Sequence, residues 1–354
     1  MVTMTVACAD QVDSAEDGDK ETIGAQQADG KSDGIDWCEN RGWYNDGTCD
    51  QFCLRADPDC NSEPLGDVPA GRATKAPIML VHGFMGSKTS PLWSFYNVKA
   101  ALEADGHRVF EADLPPFDQS SARALVLAQQ IDAALAATGA TKINIIAHSQ
   151  GGVDSRYLIS SLGYGNRVAS LTTISSPHRG TAIADRVLGF IPGGIDSTVN
   201  ASLKALNIDI AAVNVRAALS GMSEKNMVAF NRANPDDSRV FYQSWAGVSS
   251  PTGVAGAVDL TPCEGKIMLH ANTMDKLSPL LPSLVWNIVG HNKRDANDGV
   301  ATVQSSKLGT FRGCIPADHM DEVGQVKDAY DRATGFDHLR FYRNVAFELA
   351  KKGL

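Results

Sequence analysis

The sequence predicts an α/β fold, a mostly parallel central sheet with helices on both faces, preceded by a small cysteine-rich module. Three observations lead there. From Pro77 onward, short apolar and β-branched runs alternate with stretches of helical spacing, the pattern of parallel strands joined by crossover helices. The stretch Lys142 to Gly152, Lys-Ile-Asn-Ile-Ile-Ala-His-Ser-Gln-Gly-Gly, passes from a buried-strand pattern into a helix within a few residues. A length of 354 residues suits one large domain with an appendage.

In chain order, residues 1–7 are apolar without a charged start and read as a trimmed signal-peptide tail, and Cys8 loosely matches a lipoprotein attachment site. Residues 9–35 are rich in Asp, Ala, Gly and Gln without periodicity, which is the composition of a disordered linker. Residues 1–67 carry 16 Asp or Glu against 4 Lys or Arg, whereas the rest carries 25 against 28. The main domain is therefore close to neutral and offers no basic stripe for nucleic acid. No run of roughly 18 or more apolar residues predicts a transmembrane helix.

The segment 36–62 holds Cys38, Cys49, Cys53 and Cys60 among polar and turn-forming residues. It has too little apolar surface for a core, so disulfides are the expected staple, each contributing about 2–4 kcal/mol. Zinc is the rival, weakened by the absence of a Cys-x-x-Cys pair. Cys263 and Cys314 remain as a third bridge by parity, and the cysteine usage points to an oxidising, extracytoplasmic compartment. Residues 63–76 form a second linker.

Within residues 77–354, strands are expected at Ile78–Val81, Val109–Ala112, Ile143–Ala147, Ser170–Ile174, Val240–Trp245 and Leu284–Val289. Helices are expected at Ala122–Ala137 and over Phe336–Leu349. Between 185 and 221, apolar residues such as Leu203, Leu206, Ile210 and Val213 recur at roughly helical spacing, as in a plain packing helix or in a helix facing a cleft.

Ser149 falls on the strand-to-helix turn, the geometry that lifts a hydroxyl out of a sheet beside a helix N-terminus. Ala147 stands where the usual Gly-x-Ser-x-Gly pattern has its first glycine, with almost the same footprint. Acyl transfer by serine needs a base, an acid to orient it and donors for the oxyanion. Asp298, in Asp295-Ala-Asn-Asp-Gly, and His319 follow Ser149 in the order Ser, Asp, His of α/β hydrolases. Asp295 is the rival acid, His291 and His338 are rival bases, and His82 and His148 flank the motifs as turn-shaping residues. The oxyanion donors are expected to be the backbone N–H groups of Phe84 and Gln150.

Several motifs then carry a more specific resemblance. Val81-His-Gly83, Thr138 to Gly152 followed by Ser155-Arg-Tyr157, Thr172 to Gly180, Ser244-Trp-Ala-Gly247, Asn297-Asp-Gly299 and His319 to Val323 resemble the secreted, calcium-dependent triacylglycerol lipases of Gram-negative bacteria, bacterial lipase family I. The likeness runs from about Pro77 to the C-terminus, discontinuously through the middle. It implies an α/β-hydrolase fold with a helical lid, Ser149 as nucleophile, His319 as base, Asp298 as its partner, and a dedicated folding helper. It also implies a structural Ca2+ held by the carboxylates of Asp275 and Asp321 and by the carbonyls of Gln325 and Ala329, pinning the loop that carries His319. Asp275 matches only with a one-residue gap. The cysteines depart from the family: Gln304 stands where it has a cysteine, and Cys263 follows the Ser-Trp-Ala-Gly motif instead of preceding it.

The expected function is hydrolysis of acylglycerol esters at a lipid–water interface through an acyl-enzyme. An esterase or polyester depolymerase is the alternative within the same chemistry, separable by comparing emulsified long-chain triglyceride with a soluble short ester. An inert hydrolase-fold scaffold or adhesion protein is the alternative outside it, and would leave Ser149 unlabelled by an organophosphonate.

Overall fold

The first strand, β1 (Ile78–Val81), is buried along its whole length because its two faces meet two different helical layers. Successive strand side chains point to opposite faces, so Met79 and Val81 join one core cluster and Ile78 and Leu80 the other. The computed structural model describes residues 73–86, 95–189, 212–267, 274–278, 281, 283–325, 334 and 336–354, with 39, 44, 45 and 57–59. Cys8, Cys38, Cys49, Cys53, Cys60, Ala329 and the lid stretch 190–211 lie outside the described residues. Of the cysteine-rich segment, Asp57 is seen accepting the N–H groups of Asn45 (3.3 Å) and Asp59 (3.1 Å).

After β1 come α1 (Val98–Ala104), β2 (Val109–Glu111), α2 (Ser120–Thr138), β3 (Ile143–His148), α3 (Gln150–Ser160) and β4 (Val168–Ile174). Then follow α4 (Ala182–Leu188), α5 (Val213–Gly221), α6 (Glu224–Ala233), β5 (Phe241–Gly247), the short β6 (Ser249–Ser250) and β7 (Asp275–Lys276), α7 (Ser283–Val289), α8 (Val303–Ser306), β8 (Thr310–Ile315) and α9 (His338–Lys351). Six strands form one parallel sheet in the order β2-β1-β3-β4-β5-β8, and β6 pairs with β7. The chain steps from β1 to β2 on one side and then back across β1 to β3. Such a reversal opens a crevice at the carboxyl ends of the strands, where α/β sheets place their sites.

Helices α2 and α3 cover one face with Leu127, Ile131, Leu158 and Ile159. Helices α1 and α9 cover the other with Val98, Leu102, Tyr342, Val345 and Leu349. Burial on both sides explains why β1 reads as a continuous apolar run and why β3 and β4 read as largely apolar and β-branched instead of alternating.

One expected strand is a helix. Leu284–Val289 belongs to α7, in which Ser283 and Asn287 are exposed while Val285, Trp286, Ile288 and Val289 are buried. Two polar residues four apart share one helical face, and the apolar run around Asn287 fits that period better than a strand buried on both sides. The sixth strand is Thr310–Ile315, whose burial begins only at Gly313. Its first half, exposed Thr310 followed by half-buried Phe311 and Arg312, lacks an apolar run and hid it. Asp298 accordingly follows a helix, not a strand, whereas His319 does emerge beyond a strand end.

Candidate active site

Ser149 occupies the single residue between β3 and α3 with φ 56° and ψ −132°, a conformation that non-glycine residues rarely adopt. It is held because β3 is clamped between β1 and β4 and the Ser149 N–H donates to the carbonyl of Ile174 at 3.0 Å. Ala147 lies in β3 opposite Val81, fully buried. A side chain at Gly151 would collide with the carbonyls of Val81 and His82, so the elbow helix can pack under the end of β1 only with glycine there. As the first residue of α3, Gln150 has an N–H with no acceptor inside the helix. Its side chain donates to the carbonyl of Asp118 at 2.8 Å.

The turn after β1 lies against Ser149: a Cβ on Gly83 would stand 2.5 Å from Ser149 Cβ and 3.0 Å from its Oγ. In that turn Met85 N–H donates to Pro116 and Gly86 N–H to Gly83, and the N–H of Phe84 has no acceptor among the described residues. Both expected oxyanion donors are thus unspent groups beside Ser149.

His319 comes from the loop after β8, its own N–H donating to the Asp298 carbonyl at 3.0 Å. Nδ1 of its ring lies 2.7 Å from Asp298 Oδ2. The ring packs 4.4 Å, centroid to centroid, from that of His148, the residue immediately before Ser149. The other oxygen of Asp298 accepts the N–H groups of Val300 and Ala301, each at 2.7 Å. Burial by itself would raise the Asp298 carboxyl, but the imidazole of His319 and those two N–H groups outweigh it and hold it below the ordinary carboxylate range.

The rivals are accounted for elsewhere. Asp295 pairs with His291, 3.4 Å away, and His291 also meets Glu224 at 2.9 Å, all of them well exposed. His338 lies 2.9 Å from the Tyr96 carbonyl. Nε2 of His82 accepts from Leu114 N–H at 3.0 Å, which leaves Nδ1 as the donor to the Gly83 carbonyl at 2.9 Å.

A residue that sequence reasoning gave no role, Glu322, lies fully buried behind the pair. His148 Nε2 is 2.9 Å from Glu322 Oε2, and Ser175 Oγ donates to Oε1 while accepting from Gly247 N–H at 2.8 Å. Burial first, then the charge of Asp298, push the Glu322 carboxyl well above its ordinary value. Burial and the adjacent His319 ring likewise hold His148 well below its ordinary value. Its only sequence signal was an acid three residues beyond the histidine.

The expected metal ligands Asp275 and Asp321 come together with a third carboxylate, Asp318, their oxygens within 4.8 Å of one another. Asp275 Oδ2 accepts the Asp318 N–H at 2.6 Å, and Asp318 Oδ1 accepts those of Met320 and Asp321. Gln325 is buried, and its side-chain oxygen has no hydrogen-bond partner among the described residues. Three converging carboxylates are a hard oxygen donor set of the kind that fits Ca2+. Cys263 and Cys314 are bonded, with Cα atoms 5.6 Å apart, which fastens the segment ending at Ile267 to the edge of β8.

The alpha/beta hydrolase fold family matches residues 76–308. A triacylglycerol lipase of Pseudarthrobacter phenanthrenivorans is 31% identical, over 72% of this chain and 90% of its own. One of Vibrio cholerae serotype O1 is 28% identical, over 79% and 89%. Among solved structures, a metagenomic carboxyl esterase aligns with TM-score 0.56 at 15% identity, covering 84% of this chain and 81% of the other, a likeness of fold.

Proposed function

We propose, from the premise that this chain belongs to the alpha/beta hydrolase fold family, that it hydrolyses acylglycerol esters with Ser149 as nucleophile, His319 as base and Asp298 as its orienting acid. The chain is a serine ester hydrolase of the lipase and esterase kind. The observation that carries the residue roles is the 2.7 Å contact of His319 Nδ1 with Asp298, on a ring 4.4 Å from that of His148, the residue before Ser149.

With Asp298 accepting from Nδ1–H, Nε2 is left free to take the Ser149 proton as Oγ attacks the ester carbonyl carbon. The N–H groups of Phe84 and Gln150 hold the oxyanion. Protonated Nε2 then gives its proton to the departing alcohol. Water, deprotonated by the same ring, cleaves the acyl-enzyme and regenerates Ser149.

Asp275, Asp318 and Asp321, with Gln325, would hold a Ca2+, whose chemistry there is charge neutralisation and bracing of the loop carrying His319. That site, the motifs shared with bacterial lipase family I, and the cysteine usage support a secreted, calcium-dependent lipase with a lid over 185–221 and a dedicated folding helper. Cys8 would add a lipid anchor if the chain were processed there. No helix among the described residues is long and apolar enough to cross a membrane.

The test is labelling by a long-chain phosphonate together with activity on emulsified long-chain triglyceride and on a soluble short ester. Labelling at Ser149 and preference for the emulsion are expected. Preference for the soluble ester would move the protein to the esterases, and hydrolysis surviving Ser149→Ala would remove the catalytic reading.

A further inference from the structure

We propose that Arg123 is a positioning residue that sets the direction of the oxyanion-binding N–H of Phe84, and that Asp154 holds its guanidinium in register with the nucleophile's helix. The proposal rests on the reading of Ser149 as nucleophile and of Phe84 as oxyanion donor. Arg123, in the first turn of α2, and Asp154, in the second turn of α3, are both completely buried. Nε of Arg123 donates to Asp154 Oδ2 at 2.7 Å. Nη2 donates to the carbonyls of His82 at 2.8 Å and Gly83 at 3.2 Å, and Nη1 to that of Pro115. One planar fork thus joins the turn after β1, the approach to α2 and the helix that begins at the elbow.

The consequence for the oxyanion hole follows from peptide geometry. A trans peptide is planar, and its C=O and N–H point in opposite directions. The Gly83 carbonyl and the Phe84 N–H belong to one peptide unit, so drawing the carbonyl toward the guanidinium turns the N–H to the opposite side of the turn. His82 Nδ1 donates to the same carbonyl at 2.9 Å. Gly83 itself packs against Ser149. The Phe84 donor therefore has its orientation imposed from behind before any substrate arrives, which is the preorganisation an oxyanion hole requires.

Stability alone does not call for this pair. Replacing a buried ion pair by apolar side chains of similar volume is often neutral or stabilising. Lysine would supply a compact point donor, not a fork reaching three carbonyls and a carboxylate. The residue type at 123 is explained by the geometry of what it holds.

The experiment uses the full chain as wild type, Arg123→Lys and the apolar double variant Arg123→Met with Asp154→Leu, each checked for a cooperative melt. kcat and KM are measured on a soluble ester and on its thiono analogue, whose developing sulfur anion is a weaker hydrogen-bond acceptor than oxygen. Loss of a whole oxyanion donor lowers kcat by about 100- to 1000-fold; misdirecting one is expected to lower it roughly 10- to 100-fold on the oxo ester, with KM little changed and the thiono ester much less affected. The oxo-to-thiono ratio falls in both variants. Folded variants with that ratio unchanged, whatever their kcat, would overturn the proposal, and so would failure of every variant to fold, which would assign the pair to stability. Wild type that takes no phosphonate at Ser149 would instead overturn the catalytic reading itself, and the two failures are distinguishable.

Discussion

Replacing Asp298 with asparagine separates orientation of the imidazole from its mere presence. One carboxylate oxygen of Asp298 accepts from His319 Nδ1, while the other accepts two backbone N–H groups, those of Val300 and Ala301. An amide has one oxygen, and it faces the two N–H donors because turning it round would set its NH2 against them. The NH2 then donates to His319 Nδ1, the ring's proton moves to Nε2, and no acceptor remains for the Ser149 proton. The expected loss is about 10⁴-fold in kcat, near 5.5 kcal/mol of transition-state stabilisation, with little change in melting temperature because the two backbone bonds persist. Asp298→Ala removes those bonds as well and is expected to destabilise by about 1–3 kcal/mol for each buried N–H left unpaired. Initial rates on a soluble ester near pH 8, with thermal melts of both variants, provide the comparison. Asp298→Asn retaining kcat within about tenfold of wild type, folded, would refute the tautomer argument.

Three further outcomes follow from other parts of the site. Glu322 keeps its proton in the folded state to a pH at which the unfolded chain has lost it, so folding stability falls as pH rises from the ordinary glutamate range up to the raised folded value. Glu322→Gln, which mimics the neutral acid, is expected to flatten that slope in melts at a series of pH values; an unchanged slope would mean that Glu322 is charged. Reducing the Cys263–Cys314 bond, which closes a separation of 51 residues, is expected to cost about 4 kcal/mol on the loop-entropy account and to lower Tm by roughly 8–15 °C. A shift below about 2 °C would show that the segment is held by its other contacts. Chelating Ca2+ is expected to lower both Tm and activity, and Asp321→Ala to abolish the response to chelator; indifference of the wild type to chelator would remove the calcium assignment.

Elements whose burial is uniform were legible from residues alone. β1, β3 and β4 are buried on both faces, so each reads as a run of mostly apolar and β-branched residues without alternation, and the turn from His148 into Gln150 follows from small residues where backbones crowd. The chain also placed Ser149 on the turn between β3 and α3, and the structure brings Asp298 and His319, proposed as its partners, within 2.7 Å of each other. The exchange between α7 and β8 was not. Leu284–Val289 and Thr310–Ile315 differ in sequence by where their polar residues fall, and six or seven residues carry too few turns of either period to decide between them.

The chain by itself carried the proposed chemistry, because the expected nucleophile, base, acid and donors reside in short local motifs whose residue types have few other uses in that order. The tertiary structure alone decided what stands behind those groups. Arg123 and Glu322 act across 40 and 174 residues of sequence, on the carbonyls of the first turn and on His148. A buried charge or a protonated acid acquires its meaning from its neighbours, since desolvation and hydrogen bonding set its state. Those neighbours are brought together only when the sheet has closed.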